Sequence, residues 1–188
     1  ATGSRPFIPE NAQLHLPGRF TIRKKEDADR LKNYLDNTKL IPEEQHVVIV
    51  GGGLLGLELA AALKHKKVKI TIIQRASRLM ERQLDRISSK LLAEEVQIRD
   101  IQIYFDNEVS TVFETDNDNE IEIALKSGRI LTANAIVYTI GTIPNIEIAK
   151  ESGINCGRGV KVNQYLQSSN PDIYAIGEIA EFNNRLFG

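Results

Sequence analysis

A short apolar strand that runs directly into a glycine cluster constrains this fold more than any other feature of the sequence. The segment His46-Val-Val-Ile-Val50 is mostly apolar and β-branched, which is typical of a strand buried on both faces of a parallel sheet. Gly51-Gly-Gly-Leu-Leu-Gly56 follows it, and apolar residues then recur with helical spacing from Leu54 to about Lys66. Because Gly-x-Gly-x-x-Gly stands between a buried strand and a helix, the sequence predicts a turn that binds a dinucleotide.

The residues of this turn have separate physical tasks. Gly51 permits the tight turn, Gly53 lets the backbone approach a pyrophosphate, and Gly56 allows the helix and the strand to pack closely. Leu54 and Leu55 open the helix, whose N-terminus offers unpaired N–H groups and a partial positive charge to phosphates. No Lys-Ser or Lys-Thr pair follows the glycines, which excludes a Walker A loop.

Strands and helices alternate on both sides of this turn. Predicted strands are Arg19–Ile22, Val68–Gln74 and Ile101–Phe105, and predicted helices are Lys25–Asn37 and Leu84 to about Arg99. Such an alternation with short connections predicts right-handed crossovers and a parallel sheet. In the last helix we expect Ile87, Leu91 and Leu92 on the side opposite Glu94-Glu95.

The pattern changes after the predicted strand Ile101–Phe105. Short alternating runs at Glu108–Glu114, Glu120–Leu125 and Arg129–Thr132 are separated by the turn sequences Asp116-Asn-Asp-Asn119 and Ser127-Gly128. They predict an antiparallel three-stranded meander. The expected fold class is therefore α/β, a Rossmann-like parallel sheet with an inserted antiparallel meander.

The rest of the chain contains shorter predicted elements. Residues 1–18 carry three prolines and no periodicity, which predicts an irregular connection. Ala135–Ile140 returns to the pattern of a buried strand and stops at Gly141. A short helix at Ile146–Glu151 and a last strand at Ile173–Ile176, closed by Gly177, are also expected.

Four side chains near the turn are candidates for cofactor contacts. A carboxylate at the end of the second strand hydrogen-bonds the adenosine ribose, and an arginine nearby accommodates a 2′-phosphate. This chain has the neutral Gln74 there, followed by Arg75 and Arg78, so the arginines are either contacts for a 2′-phosphate or solvated loop charges. Glu58, in the first turn of the helix, either complements the helix dipole or contacts a nicotinamide.

Composition excludes several other classes of protein. The formal net charge of the 188 residues is −1, so no general field attracts nucleic acid or an anionic membrane. The single cysteine, Cys156, rules out an internal disulfide and favours a reducing, cytoplasmic location. The apolar run Val47–Leu63 contains three consecutive glycines and a glutamate, which argues against a membrane span. The three histidines have no metal-ligand spacing, so neither a metal site nor a catalytic acid, base or nucleophile is expected.

Four motifs, in this order along the chain, carry a family resemblance. They are Ala1-Thr-Gly3 with Arg5-Pro6, the Gly51–Gly56 turn leading to Glu58, Gly141-Thr-Ile-Pro-Asn145, and Ile173-Tyr-Ala-Ile-Gly-Glu178. Together they resemble the FAD-dependent pyridine nucleotide-disulfide oxidoreductases, over essentially the whole chain. Leu79–Asp85, Asn183–Gly188 and Glu178, which stands where most members have Asp, are similar to the large subunit of NAD(P)H nitrite reductases.

The resemblance implies a division of the chain and a set of cofactor contacts. Residues 1–18 would be a fragment of an FAD domain and a linker, 19–142 an NAD(P)H-binding domain, and 143–188 the return into the FAD domain. Because the FAD-binding glycine motif of the family lies upstream of Ala-Thr-Gly, we expect a piece of a longer protein. The implied FAD contacts are Ala1, Thr2, Gly3, Gly177 and Glu178. The implied NAD(P)H contacts are Gly51–Gly56 at the pyrophosphate, Gln74 and Arg75 at the ribose, Val109 at the adenine, and Glu58 with Ile140 and Gly141 at the nicotinamide.

The implied activity is hydride transfer from NAD(P)H to FAD, with electrons passing on to a sirohaem and iron–sulfur domain that reduces nitrite. Two alternatives remain open at this point. One is a rubredoxin or ferredoxin reductase or an NADH oxidase, which shares the first half of the reaction. The other is a module that binds NAD(P)H without turnover. The fragment alone is expected to be inactive.

Overall fold

The computed structural model describes residues 1–117 and 119–187. Within the predicted turn 116–119, Asp118 is therefore outside the described residues, as is Gly188 at the end of the Asn183–Gly188 motif. The chain forms two compact units. One is Ile8–Ile140, and the other combines Ala1–Phe7 with Gly141–Gly188.

Strands and helices of the described residues follow the alternation that the sequence predicts. The strands are β1 (Ser4–Pro6), β2 (Arg19–Thr21), β3 (His46–Val50), β4 (Lys69–Ile73), β5 (Ile101–Tyr104), β6 (Val109–Glu114), β7 (Ile121–Leu125), β8 (Ile130–Ala133), β9 (Ala135–Tyr138), β10 (Thr142–Pro144), β11 (Val160–Lys161), β12 (Ala180–Phe182) and β13 (Arg185–Leu186). The α-helices are α1 (Lys25–Asn37), α2 (Leu54–Lys64), α3 (Arg86–Ile98) and α4 (Glu147–Glu151). Most predicted boundaries agree with these to within two residues.

A five-stranded parallel sheet forms the centre of the unit Ile8–Ile140. Its strand order is β2-β9-β3-β4-β5, and β6, β7 and β8 form a separate antiparallel sheet. The predicted α/β fold with an inserted meander is therefore confirmed.

Different elements pack on the two faces of the parallel sheet. Val47 and Ile49 pack on one face with Leu31 of α1 and Leu63 of α2. On the other face, Val48 packs with residues of the meander such as Ile123. Because successive side chains of a strand point to opposite faces, the apolar run of β3 serves both cores.

Helix α3 turns a different face to the core from the one that the sequence predicts. Ile87 is 75% exposed and Leu91 is 61% exposed, whereas Val96 is buried in the core and the partly buried Leu92 packs against it. The hydroxyl of Ser89 is buried and donates to the carbonyl of Leu79, which holds the helix in this rotation. The prediction that Ile87 and Leu91 share a buried face with Leu92 is therefore wrong.

The other unit has a small core and two departures from the predictions. Ile146, Val160 and Ala180 are buried together. Residues Ser4–Pro6, predicted as irregular, form β1, which pairs with Thr142–Pro144. The sequence could not show this pairing because the partner lies more than 130 residues away.

The segment Ile173–Ile176, predicted as a strand, makes only one isolated bridge, between Gln167 and Tyr174. Tyr174 is 58% exposed and Ile176 is 53% exposed. An apolar run forms a strand only where neighbouring strands accept its hydrogen bonds, and the described residues provide a single bridge. Among those residues, no helix is long and apolar enough to cross a membrane.

Candidate dinucleotide site

Two glycines of the turn have no room for a side chain. Gly51 has a φ of +114°, and a Cβ there would lie 2.7 Å from the carbonyl oxygen of Thr139. A Cβ on Gly56 would lie 2.1 Å from the carbonyl oxygen of Gly51. The chain therefore needs glycine at both positions, one for the turn and one for the contact between α2 and the end of β3.

Gly53 faces open space, with no atom within 4 Å of a Cβ placed on it. It is the N-cap of α2 and makes no side-chain cap. Among the described residues, the backbone N–H groups of Leu54, Leu55 and Gly56 find no acceptor. Leu54 is 59% exposed, so these donors stand at an open surface, where an anion would meet both the N–H groups and the positive end of the helix dipole.

Thr139, which the sequence analysis missed, holds the turn from the neighbouring strand. Its hydroxyl donates to the carbonyl oxygens of Val50 at 3.0 Å and Gly51 at 3.2 Å. Its backbone N–H also donates to Val50 at 2.8 Å. Ile140, a predicted nicotinamide contact, follows directly and is 38% exposed. A threonine at the end of the strand that neighbours the glycine turn is a weak signal that sequence alone does not single out.

The side chain of Gln74 is committed to the turn at both ends. Its Oε1 accepts a hydrogen bond of 2.8 Å from the N–H of Gly52, and its Nε2 donates to the carbonyl oxygen of Arg78 at 3.1 Å. Gln74 is 8% exposed. A Cβ on Gly52 would lie 2.4 Å from Leu79 Cδ2, so Gly52, for which the sequence predicts no task of its own, lets the following loop pack beneath the turn.

The two arginines of this loop have different surroundings. Arg78 is half-buried and donates to the carbonyl oxygens of Glu81 at 2.8 Å and Leu84 at 3.0 Å. Arg75 is exposed. The pKa of the Asp85 carboxyl is lowered, mainly because it accepts the N–H of Ser88 at the start of α3 and also because the charge of Arg78 is near.

The remaining predicted contacts of this unit lie on helix α2 and on strand β6 of the meander. Glu58 is exposed on α2. Val109 is 9% exposed and packs in the core with Val112 and Ile123, so its side chain is turned inwards rather than towards an open surface.

The predicted FAD contacts lie in the other unit, together with Gly141, which has a φ of +108°. Ser4 Oγ donates to Glu178 Oε2 at 2.9 Å, which brings the segment after Gly3 next to Gly177-Glu178. Thr2 donates its hydroxyl to the carbonyl of Asn145. The structure thus brings the two predicted FAD segments together within one unit. Gly3 and Gly177 both have positive φ values, and a Cβ placed on either would have open space around it. These features fit a flavin nucleotide approaching the backbone.

No group of three or more His, Cys, Asp and Glu side chains that could hold a metal ion is found in the described ranges 1–117 and 119–187.

Comparisons with known proteins agree with this geometry. The chain is 33% identical to the assimilatory nitrate reductase electron transfer subunit of Bacillus subtilis over 188 residues, which are 100% of this chain and 23% of that protein. It is 34% identical to nitrite reductase [NAD(P)H] of the same organism over 191 residues, which cover 100% of this chain and 22% of that protein. The chain thus spans less than a quarter of the length of these relatives.

A ferredoxin reductase from Rhodopseudomonas palustris has a similar structure, with a TM-score of 0.86 and 27% identity over 97% of this chain and 43% of that one. The family model of the pyridine nucleotide-disulphide oxidoreductases matches residues 1–186. Enzymes of this family use NAD(P)H and FAD. The glycine turn, the parallel sheet and this match over nearly the whole length show that the chain belongs to the pyridine nucleotide-disulphide oxidoreductase family.

Proposed function

We propose that this chain is the NAD(P)H-binding part of a flavoprotein reductase that passes hydride from NAD(P)H to FAD. The observation that carries the proposal is the glycine turn, where the N–H groups of Leu54, Leu55 and Gly56 lack acceptors in the described part of the chain and Gly53 opens onto free space. The bound cofactors supply the hydride chemistry. The protein binds and orients them.

Each proposed contact has a distinct task. The N–H groups of the turn take the pyrophosphate, as at other helix N-termini. Gln74 lies at the adenosine ribose and holds the glycine turn by its hydrogen bond with Gly52. Arg75 and Arg78 place positive charge on the loop that follows Gln74. Glu58 and Ile140 contact the nicotinamide. Val109 packs in the core and from there supports the residues next to the adenine.

The unit formed by residues 1–7 and 141–187 is proposed to be part of the FAD domain. The hydrogen bond between Ser4 and Glu178 supports this, because it joins the two segments that the resemblance assigns to flavin. In this proposal the described residues supply two edges of a flavin site, and the sequence has one Gly-x-Gly-x-x-Gly motif, which we assign to NAD(P)H. The purified 188-residue chain is therefore expected to be colourless and inactive with NAD(P)H. Stoichiometric flavin after gel filtration would contradict this division.

For the whole protein we favour nitrite reduction. Two relatives with 33% and 34% identity are named for nitrate or nitrite reduction. The structural likeness to a ferredoxin reductase supports electron transfer to a small carrier protein as a second candidate. The absorption spectrum of the whole protein separates the two, since the sirohaem nitrite reductase that the resemblance implies would show sirohaem bands beside those of flavin.

Dinucleotide binding is tested with Gly53→Ala. Gly53 has a φ of −87° and free space around its Cβ, so the variant should fold as the wild type does while its methyl group keeps the pyrophosphate from the backbone. Calorimetry with NADH should show at least tenfold weaker binding, a change of about 1.4 kcal/mol. The control is Gly128→Ala, in the turn between β7 and β8, where φ is +84°. It should lose stability and keep its affinity for NADH. Equal affinity of wild type and Gly53→Ala would contradict the proposal.

A further inference from the structure

We propose that a pocket between helix α3 and the loop after β4 binds a phosphate dianion. The pocket has a volume of about 420 Å³, ample for a phosphate group. Arg78, Arg86 and Lys90 line it together with Ser77 and Phe105. Three cationic side chains converge there on one concave surface, and the sequence analysis had singled out only Arg78.

The two cations of α3 are available to a ligand. Arg86 and Lys90 lie one helical turn apart and are exposed, so they stand side by side on one face of the helix. In the described part of the chain, no hydrogen bond or ion pair engages the side chain of Arg86. Lys90 Nζ forms an ion pair with Glu94 Oε1 at 3.8 Å, and this pair is weak because both side chains are exposed. Like charges at this spacing repel, and a dianion between them would relieve that repulsion.

Arg78 contributes a fixed charge. Its guanidinium donates to the carbonyl oxygens of Glu81 and Leu84, which are neutral acceptors, and the nearby charge of Asp85 balances its positive charge only in part. Asp85, the N-cap of α3, uses its carboxylate to accept the N–H of Ser88 at 2.7 Å. The pocket also lies beside the first turn of α3, where the helix dipole favours an anion.

The pocket adjoins the proposed ribose end of the dinucleotide site. Gln74 bonds Gly52 of the glycine turn with one end of its amide and Arg78 of the pocket wall with the other. One source of the phosphate is therefore the 2′-phosphate of NADPH, and this assignment rests on the proposed function. The other source is free inorganic phosphate, which does not depend on it. Both are dianions at pH 8.

The test removes the two α3 cations in the double variant Arg86→Gln/Lys90→Gln. The matched control is Lys32→Gln/Lys66→Gln, which makes the same change in net charge at exposed positions on α1 and after α2. Calorimetry at pH 8 and constant ionic strength measures the affinities for adenosine 2′-monophosphate, inorganic phosphate, NADPH and NADH. Amide shifts of Arg86 and Lys90 report where phosphate binds.

We expect the pocket variant to bind adenosine 2′-monophosphate and NADPH about tenfold more weakly than wild type, and NADH equally well. The control should bind all four ligands as wild type does. If only the affinity for inorganic phosphate depends on Arg86 and Lys90, the site stands and its ligand is the free anion. If no ligand distinguishes the pocket variant from the control, the proposal is overturned. The affinity of wild type for NADH reports separately on the proposed function, since NADH carries no 2′-phosphate.

Discussion

The side-chain oxygen of Gln74 accepts a 2.8 Å hydrogen bond from the backbone N–H of Gly52, and so links the end of β4 to the glycine turn. The nitrogen of the same amide donates to the carbonyl of Arg78. An amide can satisfy both partners because it has a donor and an acceptor. An ionised carboxylate only accepts hydrogen bonds, so it can satisfy the N–H of Gly52 but not the carbonyl oxygen of Arg78.

Gln74→Glu should therefore shift cofactor preference and cost stability. We expect the affinity ratio of NADH to NADPH to rise by about tenfold to a hundredfold, because the carboxylate repels a 2′-phosphate. The free energy of unfolding should fall by about 1–2 kcal/mol, since the carboxylate faces the carbonyl of Arg78. Dissociation constants and urea titrations measure the two effects. Gln102→Glu adds the same charge at an exposed position of β5 and should change neither the affinity ratio nor the free energy of unfolding. An unchanged ratio would place Gln74 away from the ribose.

Gly56→Ala should destabilise the fold severely. Its Cβ would lie 2.1 Å from the carbonyl oxygen of Gly51 and 2.8 Å from Thr139 Oγ1, and the hydroxyl of Thr139 is already bonded to the turn. We expect a loss of about 3 kcal/mol or more, at the upper end of the range for overpacking, because the clash is with backbone that cannot move aside like a side chain. Gly53→Ala, three residues earlier, is the matched control and should unfold at the wild-type urea concentration. Equal stability of the two variants would show that α2 can move away from β3.

The glycine turn and the parallel sheet could be predicted because both follow from local rules. The positive φ of Gly51 and the close contact at Gly56 are what a Gly-x-Gly-x-x-Gly motif requires between a strand and a helix. Thr139 and Gly52 could not be found in this way. Thr139 acts on Gly51 from 88 positions along the chain, and Gly52 is needed only because Leu79 packs against it. Long-range contacts of this kind leave no periodic signal.

The rotation of α3 escaped prediction for another reason. Apolar residues occur on both sides of this helix, so periodicity alone cannot decide which side is buried. The hydrogen bond from Ser89 to Leu79 decides it, and a serine on the buried side is the opposite of what a hydrophobic pattern suggests.

Two neighbouring leucines of α3 test this rotation directly. Leu91 is 61% exposed, so Leu91→Ala should change the free energy of unfolding by less than about 0.5 kcal/mol. Leu92 packs against the core of the parallel sheet, so Leu92→Ala should cost about 1–3 kcal/mol. The two variants make the same chemical change, and each serves as the control of the other in urea denaturation. A larger loss of unfolding free energy in Leu91→Ala than in Leu92→Ala would show that Leu91 lies on the buried face, as the sequence predicts.

His46 should make the stability of the protein depend on pH below neutrality. Burial lowers its pKa from 6.5, the charge of Lys69 lowers it further, and the carbonyl of Thr132 opposes the shift. The ring is neutral, with Nδ1 donating to Thr132 at 2.7 Å and Nε2 accepting from Thr71 at 2.9 Å. Because the unfolded chain takes up the proton more readily, stability should fall as pH drops from about 6.5 through the lowered pKa. Urea titrations between pH 5 and 8 should show this slope in wild type and a shallower one in His46→Gln.

Tyr138 should produce the corresponding effect at alkaline pH. It is 2% exposed, and its hydroxyl has no hydrogen-bond partner in the described part of the chain. Burial raises its pKa from 10.0 to about 12, although the charge of Arg19 opposes the shift. Above pH 10 the unfolded chain loses this proton first, so stability should fall by about 2–3 kcal/mol between pH 10 and 12.

Tyr138→Phe removes both the buried hydroxyl and its titration. We expect the variant to be as stable as wild type at pH 7, or more stable by about 1 kcal/mol, because no hydrogen bond is lost and a buried polar group disappears. The difference in the free energy of unfolding between variant and wild type should then widen in favour of the variant as pH rises from 10 to 12. Because other tyrosines titrate equally in both proteins, their contribution cancels in this difference. A difference that stays constant with pH would mean that the hydroxyl of Tyr138 reaches solvent and ionises in the folded state.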